Sequence, residues 1–71
     1  MQEEKLTVQI TAKIRDFFGV WEVHTLVNTK QYFFWLNSDF KVEQVEKLLR
    51  LRKPGMALNF LKQNNLEYYN V

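Results

Sequence analysis

LTVQITAKI, residues 6–14, is the stretch that decides the fold, because apolar and polar side chains alternate along it without interruption. Its apolar members are Leu6, Val8, Ile10, Ala12 and Ile14. Successive side chains of a β-strand point to opposite faces, so this period of two predicts a strand with all five on one face. The polar residues between them predict that the other face meets water.

Two further strands are predicted after a short loop at residues 15–19. Residues 20–27 form a β-branched and aromatic run that pairs back on the first strand as a hairpin. A turn at 28–31 leads to a third strand at 32–36, YFFWL, which is apolar on both faces. A strand in a sheet with one wet face has no need of a second apolar side, so a covering element or a binding partner is expected there.

Two short helices are predicted downstream of the strands. Residues 37–39 offer N-cap side chains before an amphipathic helix of roughly residues 40–52, whose Val and Leu stripe packs on the sheet. Pro54 ends that helix, because proline disfavours helical geometry in the residue before it, and begins a second helix. The pair Asn64-Asn65 suits a left-handed end for this second helix.

The order of these elements predicts an α+β fold. Runs of strands followed by runs of helices usually resolve with the helices segregated to one face of an antiparallel sheet. We therefore expect a three-stranded antiparallel β-meander followed by two short helices packed on one face (β-β-β-α-α), in a single small domain spanning residues 1–71. Residues 66–71 fit either a short C-terminal edge strand or a frayed tail, and the pattern does not decide between them.

The composition argues against catalysis, cofactors and metals. The chain has no Cys and a single histidine, His24, so disulfides and thiolate metal sites are excluded and His24 alone makes no metal site. Catalysis needs a positioned acid, base or nucleophile with an orienting partner, and the sequence shows neither such a set nor a Gly-rich phosphate loop. A non-enzymatic binding module without cofactor or metal is expected.

The same composition bears on location. The longest unbroken apolar run, residues 32–36, is far below the ~18 residues that a membrane span needs. Residues 1–4 are acidic where a secretory signal is basic, and the absence of Cys suits a reducing compartment. The sequence therefore predicts a cytoplasmic protein with no membrane contact.

The first candidate for a binding surface is the aromatic strand at residues 32–36. Large aromatic side chains are favoured anchors in protein interfaces, since they bring much contact area with few rotatable bonds. The residues expected to form a protein–protein or homodimer interface are Trp21, Tyr32, Phe34 and Trp35. A protein partner or a second copy of the chain is the partner that this surface predicts, and no small-molecule substrate is expected.

The alternative candidate is a nucleic-acid-binding surface on the basic helical half, within residues 41–62. Residues 1–39 hold four basic and five acidic side chains, whereas residues 40–71 hold six basic and three acidic ones. The cations expected on DNA or RNA phosphates are Lys47, Arg50, Arg52, Lys53 and Lys62. A plain solvated face is the competing interpretation, because Glu43 and Glu46 each stand four residues before a cation and would neutralise it.

A third arrangement places nucleic acid on the sheet. Bases would stack on the rings of the third strand beside Lys13, Lys30 and His24, in the manner of open-sheet RNA binders. The signature strand of the RNA recognition motif carries glycines among its aromatics, and that motif alternates strands with helices. Residues 30–35 contain no glycine and all strands precede the helices here, so the pattern fails on both counts.

Overall fold

The computed structural model describes residues 5–67. Its elements are β1 (Val8–Arg15), β2 (Trp21–Val27), β3 (Lys30–Leu36), α1 (Asp39–Arg50) and α2 (Pro54–Asn64). The strands form an antiparallel sheet in the order β1-β2-β3, and both helices pack against one of its faces. The predicted β-β-β-α-α architecture is confirmed.

The core lies between this sheet face and the two helices. Its buried members are Val23, Phe34 and Leu36 from the sheet, Val42, Val45 and Leu48 from α1, and Ala57 and Leu61 from α2. The α1 residues recur at spacings of three, so they line one side of that helix and face the sheet together. One thin apolar layer therefore holds the fold together, and neither helix of residues 5–67 lies on the opposite sheet face.

A β-bulge at Thr11 breaks the alternation of the first strand. β1 has eight residues and its partner β2 has seven, while the pairing is fixed at both ends. At one end Arg15 lies opposite Trp21, and at the other Thr7 pairs with Asn28, whose side-chain oxygen accepts the Thr7 N–H at 3.0 Å. One residue of β1 must therefore bulge out, and the register shifts between Ile10 and Ala12.

The bulge reverses which side chains of β1 face the helices, because one extra residue exchanges the two faces of a strand. Ile10 lies opposite Thr25 on the helix-covered face, but Ala12 and Ile14 lie on the other face. The prediction that all apolar residues of 6–14 share a face is wrong beyond Thr11.

Lys13 now points toward α1 instead of toward water. Its Nζ lies 2.5 Å from Glu46 Oε2 and 6.0 Å from the centre of the Trp21 ring. A cation over an aromatic face is attracted by the ring quadrupole, so this residue is held by two contacts. The ion pair joins β1 to α1 across the edge of the core.

The ends of α1 are set by specific hydrogen bonds. Ser38 Oγ accepts the Lys41 N–H at 3.3 Å, as predicted for an N-cap. At the other end the N–H groups of Arg52 and Lys53 donate to the carbonyls of Leu49 and Leu48, the pairing of a Schellman motif. Arg52 takes the left-handed conformation, with φ of 59°, and α1 therefore stops at Arg50, two residues before the predicted end.

The end of α2 differs from the expected one. Asn65 is extended, with φ of −66° and ψ of 131°, so no left-handed turn closes this helix. Its side-chain oxygen instead accepts the Trp35 N–H at 2.8 Å, and the Leu66 N–H donates to the Trp35 carbonyl at 2.9 Å. The chain after α2 thus lies beside β3. Residues 68–71 fall outside the described residues. The structure therefore does not test whether residues 66–71 form an edge strand or a tail.

Candidate binding surfaces

The sheet face that lies away from the helices is the first surface that could bind a partner, and we call it the open face. By register it consists of Gln9, Ala12 and Ile14 on β1, Glu22, His24 and Leu26 on β2, and Gln31, Phe33 and Trp35 on β3. Most of these side chains are apolar or uncharged. The second apolar side of strand three, predicted to need a cover or a partner, belongs to this face.

Apolar side chains lie on both outer strands of the open face. Phe33 on β3 is 47% exposed and Ile14 on β1 is 51% exposed, whereas Trp35 is half-buried. The rings of Phe33 and Trp35 meet edge to face with centroids 6.4 Å apart, a favourable geometry for aromatic pairs. By register Glu22 and His24 on β2 lie between Ile14 and these rings, so the aromatic pair on β3 is the main apolar patch of this face.

The charged groups of the open face form one pair. His24 Nε2 lies 2.5 Å from Glu22 Oε2, since residues two apart on a strand share a face. The His24 ring also packs on Phe33, with centroids 4.5 Å apart. The Glu22 carboxylate and the His24 ring therefore already have a partner within the chain.

The cations of the sheet lie on the helix-covered side. Lys13, Arg15 and Lys30 stand opposite Val23, Trp21 and Val27, whose side chains face the helices. None of the nine residues of the open face is Lys or Arg. In the arrangement in which bases stack on strand three, Phe33 and Trp35 would have His24 beside them but not Lys13 or Lys30, because those ammonium groups belong to the other face.

The structure does not bring the four predicted interface residues together. Phe34 is a core residue, 6% exposed, and Trp21 lies on the helix-covered side, where its Nε1 donates to Asp39 Oδ1 at 2.5 Å. Tyr32 is exposed on that side as well, and Trp35 alone lies on the open face. Phe33, which shares the face of Trp35, was missed, although the alternation within strand three was the signal for it.

The five predicted nucleic-acid contacts are all exposed, but they are spread over the helical layer. Arg50 and Arg52 border depressions along β1, whereas Lys62 borders a pocket of about 130 Å³ beside Tyr32. Neither of the predicted neutralising pairs forms: Lys47 has no ion pair to Glu43, and Glu46 binds Lys13 in place of Arg50. The carboxylate that would offset the Arg50 charge is engaged elsewhere.

Metal ligation and membrane crossing are two further possibilities for residues 5–67. No group of three or more His, Asp or Glu side chains is placed to hold a metal ion there. In the same part of the chain neither helix has the length and apolar character to cross a membrane. Comparisons with known protein families, with curated proteins and with solved structures found no match for this chain.

Proposed function

We propose that this chain is a non-enzymatic binding module that pairs with a second copy of itself through the open face. The observation that carries the proposal is the aromatic pair Phe33 and Trp35, with exposed Ile14 on the other outer strand, on a sheet face whose nine residues include no Lys or Arg. Depletion of charge with enrichment of aromatic residues is the compositional mark of an interface core.

The electrostatics of the open face favour a protein surface over nucleic acid. Phosphates are bound by Lys and Arg, and the nine residues of this face include neither. Glu22 is the acidic residue of this face, and its carboxylate lies 2.5 Å from His24 Nε2, so it keeps a hydrogen-bond partner when the face is covered. The matching partner surface is apolar and nearly uncharged.

A second copy of the chain supplies such a surface. In a two-fold pair the open faces would meet, and both helical layers, which carry the excess of cations, would lie on the outside. Like charges would then be far apart, so the net charge of +2 on each copy would oppose association little. Burying Phe33 and Trp35 against their counterparts would remove apolar surface from water.

The size of the face predicts a weak dimer. Three strands spaced ~4.8 Å apart and about seven residues long cover on the order of 300–350 Å² in projection. Standard interfaces bury about 800 Å² of accessible surface on each partner, so a contact through this face alone is well below the standard size and is expected to be weak and transient. Monomer and dimer would therefore coexist in the micromolar concentration range.

Sedimentation velocity over about 1 to 100 µM protein tests the proposal. The wild-type chain should shift toward twice its mass as concentration rises, with little dependence on salt, because the contact is apolar. Phe33→Lys should remain monomeric, since it places two ammonium groups in the proposed interface. Circular dichroism of each variant checks that the fold is kept.

Phe40→Lys is the matched control, because Phe40 is another exposed phenylalanine, at the start of α1 in the helical layer. It should dimerise as the wild type does. A wild type that stays monomeric throughout the range, or a Phe33→Lys protein that still dimerises, would contradict the proposal.

Nucleic-acid binding by the helical layer is the second candidate function, supported by the absence of an ion pair at Arg50 among the described residues. It predicts that the wild type binds short DNA or RNA at low salt and releases it at high salt. Replacing Arg50 and Arg52 with Ala would weaken this binding on all sequences, whereas Phe33→Lys would not. The cytoplasmic location remains a prediction from the cysteine-free composition.

A further inference from the structure

A groove runs along the outer edge of β1, and we call it the β1 groove. One part, of about 690 Å³, lies between residues 5–8 and the turn that joins the helices. The other, of about 530 Å³, lies between residues 8–13 and α1. Both parts are lined by Val8 and Leu49, so they form one continuous depression beside the strand.

The wall of this groove is the edge of a sheet. β1 pairs only with β2 in the part of the chain that the structure describes, so its outer edge faces the groove. The Thr7 backbone pairs with Asn28, and alternation then directs the N–H and C=O groups of Val8 outward. Such a row of backbone groups is a template for another extended chain.

The bulge limits the length of chain that can pair there. Residues 7–10 precede Thr11 and form the regular part of the edge, since Thr7 pairs with Asn28 and the next three residues pair with β2. At ~3.3 Å per residue this part is about 13 Å long, enough for about four residues of an added strand. Beyond it the bulge twists the edge, which is one way in which proteins limit pairing at a sheet edge.

The charges around the groove are unbalanced. Lys5, Arg50 and Arg52 line it, and none of them has an ion pair within residues 5–67. Glu46 is the acidic residue among those that line the groove, and it is bonded to Lys13. Three positive charges therefore surround an apolar floor formed by Val8 and Leu49.

We propose that the β1 groove binds an extended acidic peptide, which adds to β1 as a fourth strand. The backbone of the peptide would pair with the outward groups of Val8 and Ile10, and its carboxylates would reach Lys5, Arg50 and Arg52. Main-chain hydrogen bonds supply affinity in strand addition, and side-chain pockets supply specificity. Guanidinium groups grip carboxylates in bidentate fashion, so the two arginines select acidic side chains.

A peptide fits this groove better than a nucleic acid does. A strand edge offers alternating donors and acceptors, which only another polypeptide backbone matches residue by residue. The groove shares Gln9 and Ala12 with the open face, but Phe33 on β3 lies outside it, so the loss of the proposed dimer in Phe33→Lys can be distinguished from a loss of peptide binding. Phe33→Lys should accordingly bind the peptide as the wild type does.

The test measures fluorescence anisotropy of a labelled peptide of about ten residues in which Glu and Val alternate. The same peptide, N-methylated at every backbone nitrogen, has identical side chains and charge but cannot donate along either of its edges. The wild-type chain should bind the unmodified peptide at least about tenfold more tightly than the methylated one. Each backbone hydrogen bond that the methylated peptide cannot make leaves an acceptor of β1 unpaired, which costs free energy. Equal binding of the two peptides, or no binding of either, would overturn the proposal.

Charge-reversal variants locate the site. Arg50→Glu combined with Arg52→Glu should weaken peptide binding by at least about tenfold, since charge-assisted hydrogen bonds are lost and repulsion is added. The control combines Lys47→Glu with Lys62→Glu, which changes the net charge by the same amount at exposed lysines that do not line the groove. This control should weaken peptide binding much less than the arginine variant does. Equal losses in both variants would refute a site at the groove. Displacement of the peptide by a short single-stranded DNA that binds more tightly would identify a phosphate ligand and refute the peptide.

Discussion

Thr25→Val should make the protein more stable. Thr25 lies in the middle of β2, fully buried on the helix-covered face, opposite Ile10 and Tyr32. Its hydroxyl oxygen has no hydrogen-bond partner among residues 5–67. Burying a hydroxyl without a partner costs about 1–3 kcal/mol, because its bonds to water are lost and not replaced. Valine has nearly the same shape and an equal preference for strands, so it should remove this cost without leaving a cavity.

The expected gain is about 1–2 kcal/mol in the free energy of unfolding, which for a domain of this size raises the melting temperature by roughly 4–8 °C per kcal/mol. Urea unfolding followed by circular dichroism measures the first quantity, and a thermal scan measures the second. Thr25→Ser is the control, because it keeps the hydroxyl and loses the methyl group, and it should be less stable than the wild type. A Thr25→Val protein that unfolds at lower urea concentration would show that the hydroxyl has a partner, and the reasoning would be refuted.

Three further changes test the fold by the same urea assay. Arg52→Gly should stabilise the chain by about 0.5–1 kcal/mol, because glycine adopts the left-handed conformation of this residue without the penalty of a side chain, and Arg52→Ala should not. Ser38→Ala should cost about 1 kcal/mol by removing the N-cap bond to the Lys41 N–H, with Ser38→Asp as the rescuing variant. Leu61→Ala should cost about 2–5 kcal/mol, because Leu61 is fully buried and truncation leaves a cavity; a loss below 1 kcal/mol would mean that the core is not formed as described.

The binding surfaces were predictable only in part. The two-sided apolar character of strand three indicated that one side needs a partner, and the structure places Phe33 and Trp35 on the face without a helix. Which rings lie on which face depends on the register with β2, and composition alone favoured Phe34, which is buried. Similarly, the spacing of Glu46 and Arg50 predicted an ion pair along α1, but in the structure Glu46 pairs with Lys13 on β1. A contact between two elements thus replaces the pair that was expected within one helix.

The sequence by itself determined the type and order of the elements, because the hydrophobic period of each strand and helix and the signals at their ends are local. The tertiary structure alone decided the bulge at Thr11. Pairing of Arg15 with Trp21 and of Thr7 with Asn28 fixes both ends of a hairpin whose strands differ by one residue, and the surplus residue must leave the ladder. That single step moves Ile14 to the open face and Lys13 to the helices, since a shift of one residue exchanges the faces of a strand.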